Sequence, residues 1–265
     1  MTASVRSRMA AVARRARLSD AEEVLAIPYL SARSVMSYLR QSEVLGLRAA
    51  SRTCREAVAE HAWSDFDGTY PYAKSRIRGR VSSWRACFPL ARAANLYGNK
   101  ALTDADFVHF RGIQKLDMQG CKQATITDAA FAQLRGIHTL NMSCCKQATI
   151  TDAAFVHLRG IHTLWMDGCN QATITDAAFA HLRGIHTLYM SCCNQATITD
   201  AAFVNLRGIH MLNMSFCTQI TDAAMLHLVG IRELQIYGCP QVTNAALSQL
   251  RCRGGGATIV CPYQG

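Results

Sequence analysis

The sequence predicts an α/β solenoid of stacked strand-and-helix units, with a concave parallel sheet and short convex helices, preceded by a small all-α domain. Three observations carry this expectation. A motif opening on Thr-Asp, or Thr-Asn in its last copy, recurs at Thr103, Thr127, Thr151, Thr175, Thr199, Thr221 and Thr243, with a period of 24 residues that shortens to 22 after Cys217. Within each unit a helical apolar period gives way to strand-like alternation. Charge also divides the chain: residues 1–100 hold 17 Lys+Arg against 8 Asp+Glu, whereas residues 101–265 hold 11 against 10. The expected parts are a basic tail (1–20), a helical domain (21–66), a connector (67–87) and the solenoid (88–265).

The first 17 residues carry five Arg, no acid and no apolar core of the kind a secretory signal needs. They read as a disordered basic tail, with a cytoplasmic or nuclear location. The alternative is a mitochondrial presequence, which their Arg- and Ser-bearing composition resembles. No run of about 18 apolar residues exists, so no membrane-spanning helix is expected. Of the 12 cysteines, Cys121, Cys145, Cys169, Cys193, Cys217 and Cys239 recur once per unit, a structural column rather than disulfide pairs. This points to a reducing compartment.

Residues 27–63 pattern as three short amphipathic helices, roughly 31–39, 43–49 and 51–60, punctuated by Pro28 and the polar Arg40-Gln41-Ser42. The stretch resembles an F-box. Ile27-Pro28 stands at the opening Leu-Pro pair, Val35-Met36-Ser37-Tyr38-Leu39 at the second element, and Glu43-Val44-Leu45-Gly46-Leu47 follows, then Ser51–Glu56 and Trp63. Leu30, Ser31 and Ala32 depart from the acidic and paired leucines usual after Leu-Pro, and Cys54 stands in place of a Trp. The resemblance implies an adaptor-binding surface made of Ile27, Pro28, Val35, Met36, Tyr38, Leu39, Val44, Leu45 and Leu47. The competing reading is a helical cap that shields the open core of the first repeat. In the connector, Lys74, Arg76, Arg78 and Arg80 alternate with smaller residues, as in a solvated linker or a phosphate-contacting patch.

Each repeat unit has two halves. In TDAAFVHLRG, Thr151 is placed to cap a helix, Asp152 to favour its positive end, and Ala154, Phe155 and Leu158 share one face before Gly160 ends it. In IHTLWMDGC, Leu164 and Met166 alternate with Thr163, Trp165 and Asp167, as in a half-buried strand. One such unit cannot bury its own apolar face, but stacked units can. The pattern, seen most cleanly in Ile209–Met225 and Ile231–Leu247, resembles the cysteine-containing class of leucine-rich repeats. The Cys column is then expected to be buried just after each strand, with its S–H as a weak donor. An Ala-Thr insertion lengthens the 24-residue copies in a loop. Ala93–Asp104 reads as a first, capping unit, and Ala257–Cys261 as a final strand reached through the RGGG turn.

Side chains alternate across a strand, so three columns are expected on the concave wall. The first runs from Lys115 through Thr139, Thr163, Thr187 and Met211 to Glu233. The middle one is Asp117, Asn141, Trp165, Tyr189, Asn213 and Gln235. The third runs from Gln119 through Ser143, Asp167, Ser191 and Ser215 to Tyr237. The middle column varies most while the core columns barely change. Asp117, Asn141, Trp165, Tyr189, Asn213, Gln235, Asp167, Tyr237 and Glu233 are therefore the candidate target-binding residues. Trp165 and Tyr189, on adjacent strands, are either binding anchors or a cross-strand packing pair.

Phosphate-cradling glycine motifs, Gly-x-Ser-x-Gly, His-Glu-x-x-His and Cys-x-x-Cys are all missing, so neither an enzyme nor a cofactor is expected. Two histidine columns arise from the repeat itself: His138, His162, His186 and His210, and His109, His157, His181 and His227. No carboxylate column converges with either, which argues against a metal site. The Arg135, Arg159, Arg183 and Arg207 column reads as a solvated helix-end feature. The paired resemblances imply a substrate-recognition subunit of a cullin-type (SCF-like) ubiquitin ligase. In that role the F-box-like domain would dock a Skp-family adaptor and its cullin complex, and the wall would hold a target protein or peptide. The alternative is a leucine-rich-repeat interaction scaffold with a helical cap and no ubiquitin role. Nucleic acid is disfavoured because Asp117, Asp167 and Glu233 outnumber Lys115 on the wall.

Overall fold

The computed structural model describes residues 52–61, 77, 79–254 and 258–260. The basic tail and the helices expected at 31–39 and 43–49 lie outside them. The chain divides into two compact units, Met1–Asn95 and Leu96–Gly265. Among the described residues no helix is long and apolar enough to cross a membrane.

In the first unit, helix Arg52–Glu60 occupies the stretch where the third amphipathic helix is expected, and it buries Ala57 and Val58. The end of the stretch read as a solvated connector is also helical. Helix Val81–Cys87 buries Val81 and Trp84, an i, i+3 pair, and Phe88 is buried just beyond its end. The Arg85 guanidinium lies 5.6 Å from the Trp84 ring centre and donates to the Pro89 and Ala91 carbonyls at 3.2 and 3.1 Å, tying down the turn that leads to strand β1 (Ala93–Asn95).

The second unit holds seven strands, in chain order: β2 (Lys115–Asp117), β3 (Thr139–Asn141), β4 (Thr163–Trp165), β5 (Thr187–Tyr189), β6 (Met211–Asn213), β7 (Glu233–Gln235) and β8 (Thr258–Val260). All pair in parallel with no register slip, so each Leu of the column Leu116, Leu140, Leu164, Leu188, Leu212 and Leu234 meets the next. That column is fully buried, as is the Phe107, Phe131, Phe155, Phe179 and Phe203 spine behind it. Burying one such Phe is worth roughly 1.5–3 kcal/mol, and only stacking removes it from water. The thiols of Cys145, Cys169, Cys193, Cys217 and Cys239 are buried and donate to the carbonyls of Met118, Met142, Met166, Met190 and Met214 in the preceding unit, at 3.1–3.3 Å. No disulfide forms among the described cysteines.

The convex elements are shorter than the apolar period alone suggests. Asp152–Phe155 makes a single α-turn that tightens into the 3₁₀ segment Val156–Leu158, and Gly160 reverses the chain at φ +81°. The last helix is longer, Asn244–Gly254; the rest of the glycine turn expected before β8 lies outside the described residues.

The Thr-Asp pair does more than start a helix. The hydroxyls of Thr127, Thr151, Thr175, Thr199 and Thr221 each accept from the Ala N–H two residues on, as Thr151 does from Ala153 at 3.2 Å. Each Asp carboxylate accepts twice from the Thr of the following unit, once from its N–H at 2.6–2.9 Å and once from its hydroxyl at 2.6–2.8 Å. The chain of links runs without a break from Asp104–Thr127 to Asp222–Thr243. The Ala-Thr insertion is equally engaged: the hydroxyls of Thr125, Thr149, Thr173 and Thr197 donate to the Leu102, Ile126, Ile150 and Ile174 carbonyls. Where the unit shortens, the Gln219 amide takes the matching Ile198 carbonyl at 3.2 Å. The convex arginines, read from sequence as merely solvated, also reach across units: Arg135 donates to His157, Arg159 to His181 and Arg183 to Asn205.

Candidate functional site

The parallel register brings the three expected columns onto one face of the sheet, but the middle column divides into two kinds of residue. Asp117 and Asn141 are buried, at 1 % and 4 % exposure, which corrects the expectation that they offer an accessible surface. The cause is local. After each strand the backbone turns sharply, and the N–H two residues past the strand's last position needs an acceptor. Asp117 accepts from Gln119, Asn141 from Ser143 and Asn213 from Ser215, at 2.9, 3.0 and 3.1 Å. These are Asx turns. Such residues hold the strand exit, and their side chains fold down into it.

Trp165 and Tyr189 cannot do this. The Tyr189 exit is served by Asp167, whose carboxylate accepts from the Ser191 N–H at 2.8 Å and the Ser143 hydroxyl at 3.3 Å. One carboxylate thus straps three neighbouring strand ends. The two middle-column positions are released from capping, and large rings occupy them. Trp165 and Tyr189 are paired in register and half-buried, with ring centres 5.3 Å apart and planes 10° from parallel.

Carboxylates flank the rings. Burial raises the Asp167 carboxyl above its usual range. Burial, then the charges of Glu233 and Asp167, push the Tyr189 phenol up. Gln235 donates to Glu233 at 2.9 Å. Among the described residues no cationic side chain forms an ion pair with Asp167 or Glu233. Asp117 is isolated in another way. Its second oxygen is buried without a hydrogen-bond partner, and desolvation raises its pKa to about 6.

At the rim, Tyr237 is 44 % exposed and meets Phe216 edge-on, with ring centres 4.9 Å apart. Sequence reasoning missed Phe216. It occupies a left-handed position, φ +62°, where other units carry Gly120, Gly168, Gly238 or the small Cys144 and Cys192. A bulky residue costs roughly 1–2 kcal/mol there, and this one is also 44 % exposed. The signal was available: one aromatic residue in a column otherwise made of Gly and Cys. The surface therefore gathers Trp165, Tyr189, Asp167, Asn213, Glu233, Gln235 and Tyr237, adds Phe216, and withdraws Asp117 and Asn141. Ile27, Pro28, Val35, Met36, Tyr38, Leu39, Val44, Leu45 and Leu47 lie outside the described residues.

The first histidine column is a face-to-face stack. His138, His162, His186 and His210 have ring centres 4.5, 4.4 and 4.1 Å apart, with planes within 15° of parallel. Nδ1 of His138, His162 and His186 lies 3.0–3.1 Å from the following Thr hydroxyl. Stacked rings do not converge on a point, and no group of three metal-binding side chains is found among the described residues.

Among solved structures, human 5T4 (Wnt-activated inhibitory factor 1, trophoblast glycoprotein) is similar over 65 % of this chain and 69 % of its own, at 15 % identity and a TM-score of 0.54. TLR13 in its complex with ssRNA13 is similar over 69 % of this chain at 18 % identity and a TM-score of 0.50, and this chain spans only 27 % of it. LegL7 from Legionella pneumophila, described as leucine-rich repeat-containing, is similar over 67 % of this chain and 77 % of its own, at 14 % identity and a TM-score of 0.43. Parallel strands in chain order, alternating with one short helical segment per 22–24-residue unit, make the fold a leucine-rich-repeat solenoid. No protein-family profile and no curated protein sequence matches the chain. Within the leucine-rich-repeat frame, the wall's chemistry is set by the residues that depart from the repeat: Trp165, Asp167, Tyr189 and Phe216.

Proposed function

We propose that the chain is a non-enzymatic interaction scaffold whose concave wall captures a segment of another protein, with Trp165 and Tyr189 as anchors. One observation carries this: at the centre of the wall the strand-exit caps give way to two stacked, half-exposed rings, and Asp167 takes over the capping at the Tyr189 exit. Aromatic residues in such positions supply large contact area at low entropic cost. Strands β2–β7 span about 24 Å at the usual spacing, which suits a peptide, a loop or one helix. TLR13 binds RNA in the complex named above, but Asp167 and Glu233 make this wall a poor match for phosphates. The test places a photo-crosslinking amino acid at Met211 and exposes the full chain to host extract. Trp165→Ala/Tyr189→Ala should abolish the crosslinked product without changing the melting temperature by more than a few degrees. Undiminished crosslinking removes the anchors.

A second reading makes the scaffold the substrate receptor of a cullin-type ubiquitin ligase, raising a target's effective concentration beside the transferring enzyme. Its support is the F-box resemblance of Ile27–Trp63, together with a helix at Arg52–Glu60 where the last F-box helix is expected. Co-purification with the host's Skp-family adaptor tests it. Stoichiometric binding that is lost in Ile27→Asp/Pro28→Ala supports it, and no binding by a folded chain leaves the scaffold alone.

A further inference from the structure

The two faces of the aromatic pair are not equivalent. Tyr189 gives one face to Trp165, and the other looks along the sheet toward Asn213, its registered partner on β6. Asn213 is short, and its side-chain oxygen is drawn toward the strand exit by Ser215. The next middle-column residue is Gln235 on β7, two strands from Tyr189 and so roughly 9–10 Å away. The register thus sets the short Asn213 between the Tyr189 ring on one side and Gln235, bonded to the Glu233 carboxylate, on the other, and this step in side-chain size is the recess. A planar cation resting on a ring takes up about 3.5–4 Å, the ordinary contact distance, so the recess admits one with room for its hydration or a second contact.

Its electrostatics have one sign. The Glu233 and Asp167 charges both reach the Tyr189 hydroxyl, which places them around the same ring. Neither carboxylate has an ion-pair partner among the described residues, and the only cation in the three wall columns is Lys115 on β2, five strands from Glu233's β7. A π-face beside an uncompensated carboxylate attracts a guanidinium or ammonium and repels an anion. A neutral polar ligand would leave both charges unanswered.

We infer that the recess between Tyr189 and Glu233, floored by Asn213, is a specificity pocket for a cationic side chain, arginine or lysine, on an extended basic segment of the captured protein. This rests on the wall being the interaction surface and names the chemistry it selects. Trp165 stiffens the Tyr189 ring from behind, and Glu233 supplies the counter-charge.

The experiment pans a phage-displayed library of random 12-residue peptides against the full chain, then measures the selected peptides by fluorescence anisotropy. Selected peptides should share an Arg or Lys, and replacing that residue with citrulline or acetyl-lysine should weaken binding about tenfold or more. Glu233→Gln and Tyr189→Ala should weaken it comparably, whereas Tyr189→Phe, which keeps the ring, should retain it. Rising salt should weaken binding to the wild-type chain more than to Glu233→Gln. Peptides that lack a shared cation yet lose binding in Trp165→Ala overturn the pocket and leave the interaction wall standing. Selection of no peptide by the folded chain overturns both.

Discussion

The Asp167 carboxylate accepts the Ser191 backbone N–H at 2.8 Å from one strand away, doing for the Tyr189 strand exit what Asn213 does for its own. Removing it in Asp167→Ala leaves a half-buried N–H without an acceptor and should cost about 1–3 kcal/mol in urea unfolding. Adding Tyr189→Asn to that variant supplies a local Asx cap and should recover part of the loss. Strictly additive losses would show that the carboxylate does not serve this turn.

The Asp–Thr links predict a graded response along the convex side. Asp152 receives two hydrogen bonds from Thr175, both at 2.7 Å. Asp152→Ala should destabilise the chain by about 2 kcal/mol, within the usual range for charge-assisted bonds. Asp152→Asn keeps an acceptor for one of the two and should cost about half as much. Equilibrium denaturation of the two variants side by side checks the order.

Asp117 sets a pH dependence of one sign. Its folded pKa lies at about 6, above its ordinary 3.8, so the native state holds the proton more tightly than the unfolded chain. Its effect is therefore absent below the ordinary value and grows unfavourable as pH rises from 3.8 to about 6. Asp117→Asn keeps the acceptor for Gln119 and should stabilise the protein at pH 7 by an amount on the order of 3 kcal/mol, with the gain vanishing near pH 4. A gain that is the same at both pH values would contradict burial as the cause.

The histidine stack acts in the opposite sense. Burial and then His138 and His210 lower the pKa of His162; burial, then His210, His162 and Arg232, lower that of His186. Protonation thus favours the unfolded chain, and the stack's contribution is present above the ordinary value of 6.5 and lost as pH falls through it and below. The melting temperature of the wild type, relative to His162→Gln/His186→Gln, should decline between pH 7.5 and 5. Parallel curves would sink this assignment.

Gly238 and Phe216 are matched. A Cβ on Gly238 would lie 2.6 Å from the Phe216 ring, on backbone already at φ +66°. Gly238→Ala should therefore cost about 2 kcal/mol or more, combining strain and clash. In a Phe216→Gly background the clash part should disappear, leaving only the strain, as a double-mutant cycle would reveal.

The stacked architecture was legible because its signals are periodic. The Leu, Phe and Cys columns recur at fixed spacing, and the parallel register follows from aligning them. The wall was legible in outline only. Asp117, Asn141 and Asn213 read as surface polar residues beside Trp165 and Tyr189, since alternation along a strand reports the face and not what the side chain bonds. Their role emerges from an N–H two residues on, in a turn whose geometry the hydrophobic pattern does not encode. Phe216 escaped notice because left-handed backbone carries no apolar period. The Asp–Thr links were hidden by a simpler explanation, helix capping, which is true of Thr151 and incomplete for Asp152.

Almost every polar bond between units joins residues 21–27 positions apart, and each type is repeated down the chain. Excising one whole unit, Thr151–Ile174, would bring Thr175 to the place Thr151 holds beside Asp128, and the convex Asp–Thr junction would close with the same kind of partners. Misaligned recombination between such similar coding stretches therefore yields proteins that still fold, one rung shorter or longer. What changes is the order of chemistry along the wall: that excision would delete Trp165 and Asp167 together, leaving Tyr189 beside Asn141. The copying that makes the scaffold tolerant also makes its recognition surface quick to rewrite.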